Sequence, residues 1–91
     1  MFVVIVKNKV NIKGREQYIK TSRKFAQDMK EVKGCVEAKV LISLHDNETV
    51  VNYEVWKTQS HYENYDGKVF LKYKKALKEH FISNVSEMYM I

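Results

Sequence analysis

Proline is absent from this chain, and no repeat, low-complexity stretch or Gly/Ser-rich linker divides it. Nothing marks a second domain, and 91 residues with 45% apolar content suit one core rather than two, because small domains expose much of the surface they could bury. A single domain over residues 1–91 is expected. Cysteine occurs once, as Cys35, which excludes an internal disulfide and fits a reducing, cytoplasmic setting. Long apolar runs are also missing. None approaches the roughly 20 residues a membrane helix needs, and the start, Met1-Phe2-Val3-Val4-Ile5-Val6-Lys7, has no basic leader. Neither export nor membrane association is expected.

Glycine is scarce, with Gly14, Gly34 and Gly67 standing singly, so there is no Gly-x-Gly-x-x-Gly loop to cradle a phosphate. The histidines His45, His61 and His80 are scattered, without His-x-x-x-His or Cys-x-x-Cys spacing, and no metal site is expected. No nucleophile-elbow pattern appears. The net charge of +5 would point to nucleic acid only if the basic residues converged on one face. The densest group, Lys68, Lys72, Lys74, Lys75 and Lys78, instead reads as the solvated side of an amphipathic helix.

What is present is alternating and helical periodicity in a definite order. Phe2–Asn8 is a β-branched run that reads as a strand, and Gly14 turns the chain into a helix from Arg15 to about Lys30, where Tyr18, Ile19, Ser22, Phe25, Ala26 and Met29 recur near the helical period. Val36, Ala38, Val40, Ile42 and Leu44 alternate with polar neighbours as a second strand, and Thr49–Trp56 forms a third, joined to it as a hairpin through His45–Glu48. Thr58 is placed to cap a helix through Tyr65. Asp66-Gly67 interrupts that helix, and Val69, Phe70, Tyr73, Ala76, Leu77 and Phe81 resume helical spacing. Ile82–Ile91 reads as a last strand.

The order βαββαβ predicts an α+β, ferredoxin-like fold: a four-stranded antiparallel sheet with its helices on one face. On the other face, Cys35, Leu41, Ser43, Asn52 and Trp56 are too mixed for a plain solvent surface, so a second copy of the chain is expected to cover it as a homodimer. RNA-recognition motifs share this element order, but Thr49–Trp56 lacks their glycine and paired aromatics.

The residues from 52 to 73 concentrate Asn52, Tyr53, Trp56, Tyr62, Tyr65, Phe70 and Tyr73. Aromatic walls with few polar groups suit a flat organic ligand. Each of Tyr53, Phe70 and Tyr73 taken singly reads as core packing. Asn52 stands out because an unpartnered amide in a buried strand costs about 1–3 kcal/mol. By strand alternation it shares a side with Glu54 and Trp56, at most about 13 Å apart from the latter.

Val50-Val51-Asn52-Tyr53-Glu54-Val55-Trp56 followed by Lys57-Thr58-Gln59-Ser60-His61-Tyr62 resembles the antibiotic biosynthesis monooxygenase family, as do the helix reached through Gly14 and the Lys33-Gly34-Cys35-Val36 approach to the second strand. The resemblance implies a dimeric α+β barrel. Its anthrone-oxidising branch, which uses neither metal nor flavin, implies a cofactor-free monooxygenase acting with dioxygen on a small phenol, anthrone or quinol, with Asn52, Trp56 and Tyr62 as catalytic residues. Tyr62 would serve as a donor, since a free phenol has a pKa near 10. Asn8, Tyr65, Phe70, Tyr73 and Lys74 are the expected substrate-binding residues. That branch has a tyrosine where Val40 stands and an arginine for which Lys74 is the nearest counterpart. The Isd-type heme-degrading branch is the alternative: Asn8 resembles its strand-one asparagine, but Tyr65 stands near its tryptophan and Lys74 near its ligating histidine, leaving His61 or His80 to bind heme. A non-catalytic dimeric ligand-binding protein of the same fold is the remaining alternative.

Overall fold

The computed structural model describes residues 1–91. Its elements run β1 (Phe2–Val10), a single 3-10 turn (Ile12–Gly14), α1 (Arg15–Met29), β2 (Cys35–Ile42), β3 (Thr49–Trp56), α2 (Gln59–Glu63), α3 (Lys68–Lys78) and β4 (Phe81–Met90). The sheet is antiparallel throughout in the order β2-β3-β1-β4, the predicted ferredoxin-like α+β arrangement. Phe81 begins β4 instead of ending a helix, because α3 stops at Lys78 and the chain turns at Glu79-His80. Leu44 lies beyond β2, in the turn where Ser43 and Asp46 side chains accept backbone N–H groups.

Strand alternation decides what the helices cover. Phe2, Val4, Val6, Asn8 and Val10 of β1 stand beside Trp56, Glu54, Asn52 and Val50 of β3, and this is the face that packs on helices. One core group joins Phe2, Val4, Ala38 and Trp56 to Phe25, Ala26 and Met29 of α1. A second joins Val10 and Val50 to Tyr18, Ile19 and Leu77. Asn52 and Trp56 therefore lie under the helices and not on the open face where their polar neighbours had suggested them. Trp56 is fully buried, its apolar area being worth far more against Phe2 and α1 than at a sheet surface.

The open face carries Ile5, Tyr53 and Val51 beside the exposed Leu41, Val85 and Tyr89. Helix cover is thin over β4, where Met88 and Met90 are also exposed.

Two glycines set the approach of α2 and α3. Gly34 has φ +89° and a Cβ there would collide with the His61 ring of α2, so only glycine admits both the left-handed turn into β2 and this packing. Gly67 has φ +78° in open space and separates α2 from α3. Gly67→Ala should therefore cost about 1–2 kcal/mol, the left-handed penalty alone, whereas Gly34→Ala should cost measurably more. Urea unfolding of the two variants checks this, and equal losses would contradict it.

Candidate active site

Thr58 caps α2 by accepting the His61 N–H at 3.2 Å, and the short helix lays Tyr62 edge-on against Trp56, centroids 5.7 Å apart, and beside Phe2. Tyr65, just past the helix, also packs against Trp56, with centroids 5.9 Å apart. Its hydroxyl accepts the Phe70 N–H at 2.9 Å, which fixes the start of α3. Tyr62 and Tyr65 thus both pack on one buried indole, while Phe70 packs on Phe25 of α1.

Between the sheet and these helices opens a cleft of about 730 Å³. Its floor is Val4, Val6, Asn8, Asn52 and Glu54, and its walls come from Tyr18 and Phe25 of α1, Tyr62 and Tyr65, and Phe70, Lys74 and Leu77 of α3. Asn84 and Ser86 of β4 close one side. Of the expected site residues, the cleft gathers Asn8, Asn52, Tyr62, Tyr65, Phe70 and Lys74. Trp56 lies behind it, wholly enclosed. Tyr73 also stands off the lining, its ring on Phe25 and its hydroxyl donating to Asp28, so that it ties α3 to α1. This contact, with Lys72, holds the Asp28 carboxyl below its usual range.

The polar floor is a chain of amides running across three strands. Asn8, nearly buried, donates to the Val50 carbonyl at 3.1 Å and to Asn52 Oδ1 at 3.3 Å, and its own Oδ1 accepts from Asn84 Nδ2 at 3.4 Å. Asn84 is the cross-strand neighbour of Asn8, and the amide orientations are those that satisfy this network. With Oδ1 taken by Asn8, Asn52 keeps its Nδ2 donor for the cleft. Asn84 was missed in the sequence, because pairing between β1 and β4, first and last in the chain, leaves no local signal.

Glu54 was also passed over. It lines the cleft between Asn52 and Trp56, with one oxygen accepting the Trp56 indole N–H at 3.0 Å. Burial raises its pKa, and the indole hydrogen bond pulls in the opposite direction. Burial likewise pushes the Cys35 thiol up to about 11, with the Glu54 charge adding to the effect. None of the three histidines lines the cleft. His61 packs on Gly34 and His80 on Gly14. A smaller surface hollow of about 410 Å³ beside His61 and Asp66 has few apolar walls. No helix is long and apolar enough to cross a membrane.

Comparison with known proteins agrees with this architecture. The profile of the antibiotic biosynthesis monooxygenase family matches residues 1–84. A Nitrosomonas europaea protein assigned to antibiotic biosynthesis monooxygenases is 21% identical, with TM-score 0.82 over 99% of this chain and 97% of its own. A conserved Methanosarcina mazei protein is 18% identical, with TM-score 0.82 over 97% and 89%. A Mycobacterium tuberculosis protein is 14% identical, with TM-score 0.83 over 99% and 93%. These structures share the fold. No curated protein matches the sequence. The chain belongs to the antibiotic biosynthesis monooxygenase family, and a monooxygenase-like function follows from that membership.

If Asn8 is the centre of the amide chain, Asn8→Ala should lower stability by about 1–3 kcal/mol by leaving the Val50 carbonyl and the Asn52 amide short of a donor. Asn84→Ala, at an exposed position, should cost under about 1 kcal/mol. Chemical denaturation of both variants measures the difference, and comparable losses would show that the chain is not organised around Asn8.

Proposed function

With family membership as the premise, we propose that the protein is a cofactor-independent monooxygenase that oxidises a small aromatic ketone or phenol of the anthrone or quinol type with dioxygen. The observation that carries the reading is the cleft itself, whose aromatic walls face a floor of oriented amides. Its size and its mixture of apolar walls with a few convergent polar groups suit one flat, polycyclic ligand.

In this reading the ring system lies between Phe25, Phe70 and Tyr65, and the oxygen that gains charge when the substrate loses a proton is met by Asn52 Nδ2 and the Tyr62 hydroxyl. Neither donor has a hydrogen-bond acceptor elsewhere in the chain, and donors held in place before charge develops need no rearrangement to meet it. The electron-rich enolate or phenolate supplies the electrons for dioxygen. For a methylene substrate the balance is CH2 + O2 → C=O + H2O, and no other reductant is needed. Lys74 at the α3 wall adds positive charge near the developing anion. Trp56 acts from behind the cleft, through Glu54 and through the ring packing that seats Tyr62 and Tyr65. The lack of any histidine on the lining favours this reading over one that uses heme, because no imidazole is placed as an axial ligand.

We further propose that the protein works as a homodimer in a reducing, cytoplasmic setting. Leu41, Val85 and Tyr89 on the open face form a surface that a second copy would cover, closing two sheets against each other. The single free thiol of Cys35 suits reducing conditions.

Metal-free protein should consume dioxygen on anthrone and form the quinone, and Asn52→Ala should lower kcat/KM by on the order of 10²-fold, as loss of one oxyanion donor does elsewhere. An oxygen electrode with product chromatography reads both. Undiminished turnover in Asn52→Ala would remove that residue from the site. In sedimentation, the wild type should run as a dimer and Val85→Lys/Tyr89→Glu as a monomer.

A further inference from the structure

Glu54 is the one acid on the sheet floor of the cleft, and nothing in the chain neutralises it. No lysine or arginine forms an ion pair with it, although Lys74 and Lys78 line the same cleft. Its strand neighbour across β1 is the buried Val4. Oε1 is held by the Trp56 indole at 3.0 Å, and Oε2 has no hydrogen-bond partner within the chain. A carboxylate left unpaired among apolar and aromatic groups lowers stability, and satisfying one buried indole would need only a neutral acceptor.

We propose, building on the oxygenase reading above, that Glu54 is the catalytic base of this cleft and that its substrates are aromatic ketones or phenols with an acidic C–H or O–H group. Trp56 is its positioning residue. The indole fixes one carboxylate oxygen and turns the other toward the ligand, beside the Asn52 amide that receives the charge.

For a methylene ketone the step balances as follows. The C–H bond breaks, its electron pair stays on the substrate as the enolate, and the proton forms an O–H bond on Glu54. The enolate passes electrons to dioxygen and a C–O bond forms, giving a peroxide that takes the proton back from Glu54. The restored carboxylate then removes the second hydrogen of that carbon as a proton while the O–O bond breaks. The products are the ketone carbonyl and hydroxide, which leaves as water with the proton from Glu54.

The surroundings suit this role. The ionisable groups that face the carboxyl or share its cleft are Cys35 of β2, Tyr18 of α1, Tyr62 and Glu63 of α2, Tyr65 after it, and Lys74 and Lys78 of α3. Burial raises the pKa of Glu54, which makes it a stronger base than a solvated glutamate and brings it closer to neutral pH, where proton transfer is most effective. Only the carboxylate form accepts a proton, so activity should rise with pH through that raised pKa and level off above it.

The test uses Glu54→Gln, whose amide oxygen still accepts the Trp56 indole and so preserves the structural contact. Two rates are followed with anthrone: anaerobic exchange of its methylene hydrogens for deuterium by NMR, corrected for the protein-free rate, and aerobic dioxygen uptake. Both should fall in Glu54→Gln by about 10²–10⁴-fold, the range for loss of a general base, while binding of a hydroxyanthraquinone by absorbance titration is retained. Trp56→Phe, which removes a donor to the carboxylate, should move the acid limb of the pH profile to higher pH. Wild-type exchange that is lost in Glu54→Gln, with no dioxygen uptake by either protein, would uphold the base and overturn the oxygenase reading. Dioxygen uptake in Glu54→Gln at the wild-type rate would overturn the base and leave the oxygenase reading standing. Wild-type protein that accelerates neither process would overturn both.

Discussion

The indole of Trp56 is the element on which the rest of the structure depends. It is wholly buried where β3 ends, paired with Phe2 across the sheet, packed against α1 and flanked by Tyr62 and Tyr65. An indole brought this far from water needs an acceptor for its N–H, and the residue on the same side of the strand that can supply one is Glu54. One hydrogen bond therefore couples the packing of the core to the presence of a carboxylate on the cleft floor. Changes that loosen the indole would loosen the acid and both aromatic walls together.

The second constraint is polar. Three adjacent strands each contribute an asparagine, and the middle one, Asn8, cannot be buried without partners. The register of β1 against β3 and β4 supplies them in Val50, Asn52 and Asn84. The amide chain orders the floor and orients Asn52 in a single way, since its oxygen is committed to Asn8. A donor held in advance needs no rearrangement when charge appears on a ligand. Stability and chemistry are served by the same hydrogen bonds.

Much of this was legible in the sequence because it rests on local signals. Alternation marked β2, β-branched and aromatic runs marked β1 and β3, the Thr58 cap and Gly67 marked the break between α2 and α3, and the odd polarity of Asn52 in an aromatic strand marked the floor of the cleft. The side of β3 that faces the helices was misjudged. Asn52, Glu54 and Trp56 occupy the core side, so the more polar set of the strand is the one turned inward, and hydropathy alone favours the opposite assignment. The family resemblance put Trp56 among the catalytic residues, whereas its indole is enclosed behind the cleft and its N–H is bonded. Its bond to Glu54 two residues away became visible only once the side of burial was known. Tyr73 was drawn from the cluster by its type, whereas its hydroxyl is engaged by Asp28, 45 residues earlier in the chain. Asn84 depended on the pairing of the first strand with the last, and no window of sequence contains both.

The central claim is that a flat aromatic ligand sits on the amide and carboxylate floor beneath α2 and α3. Nitrogen-15 NMR of the labelled protein during titration with a hydroxyanthraquinone tests this most directly. The account predicts saturable shifts of the Asn8 and Asn52 side-chain amides and of the Trp56 indole N–H. Shifts confined to the exposed side of α1, around Lys20 and Arg23, with those three signals unmoved at saturation, would contradict it.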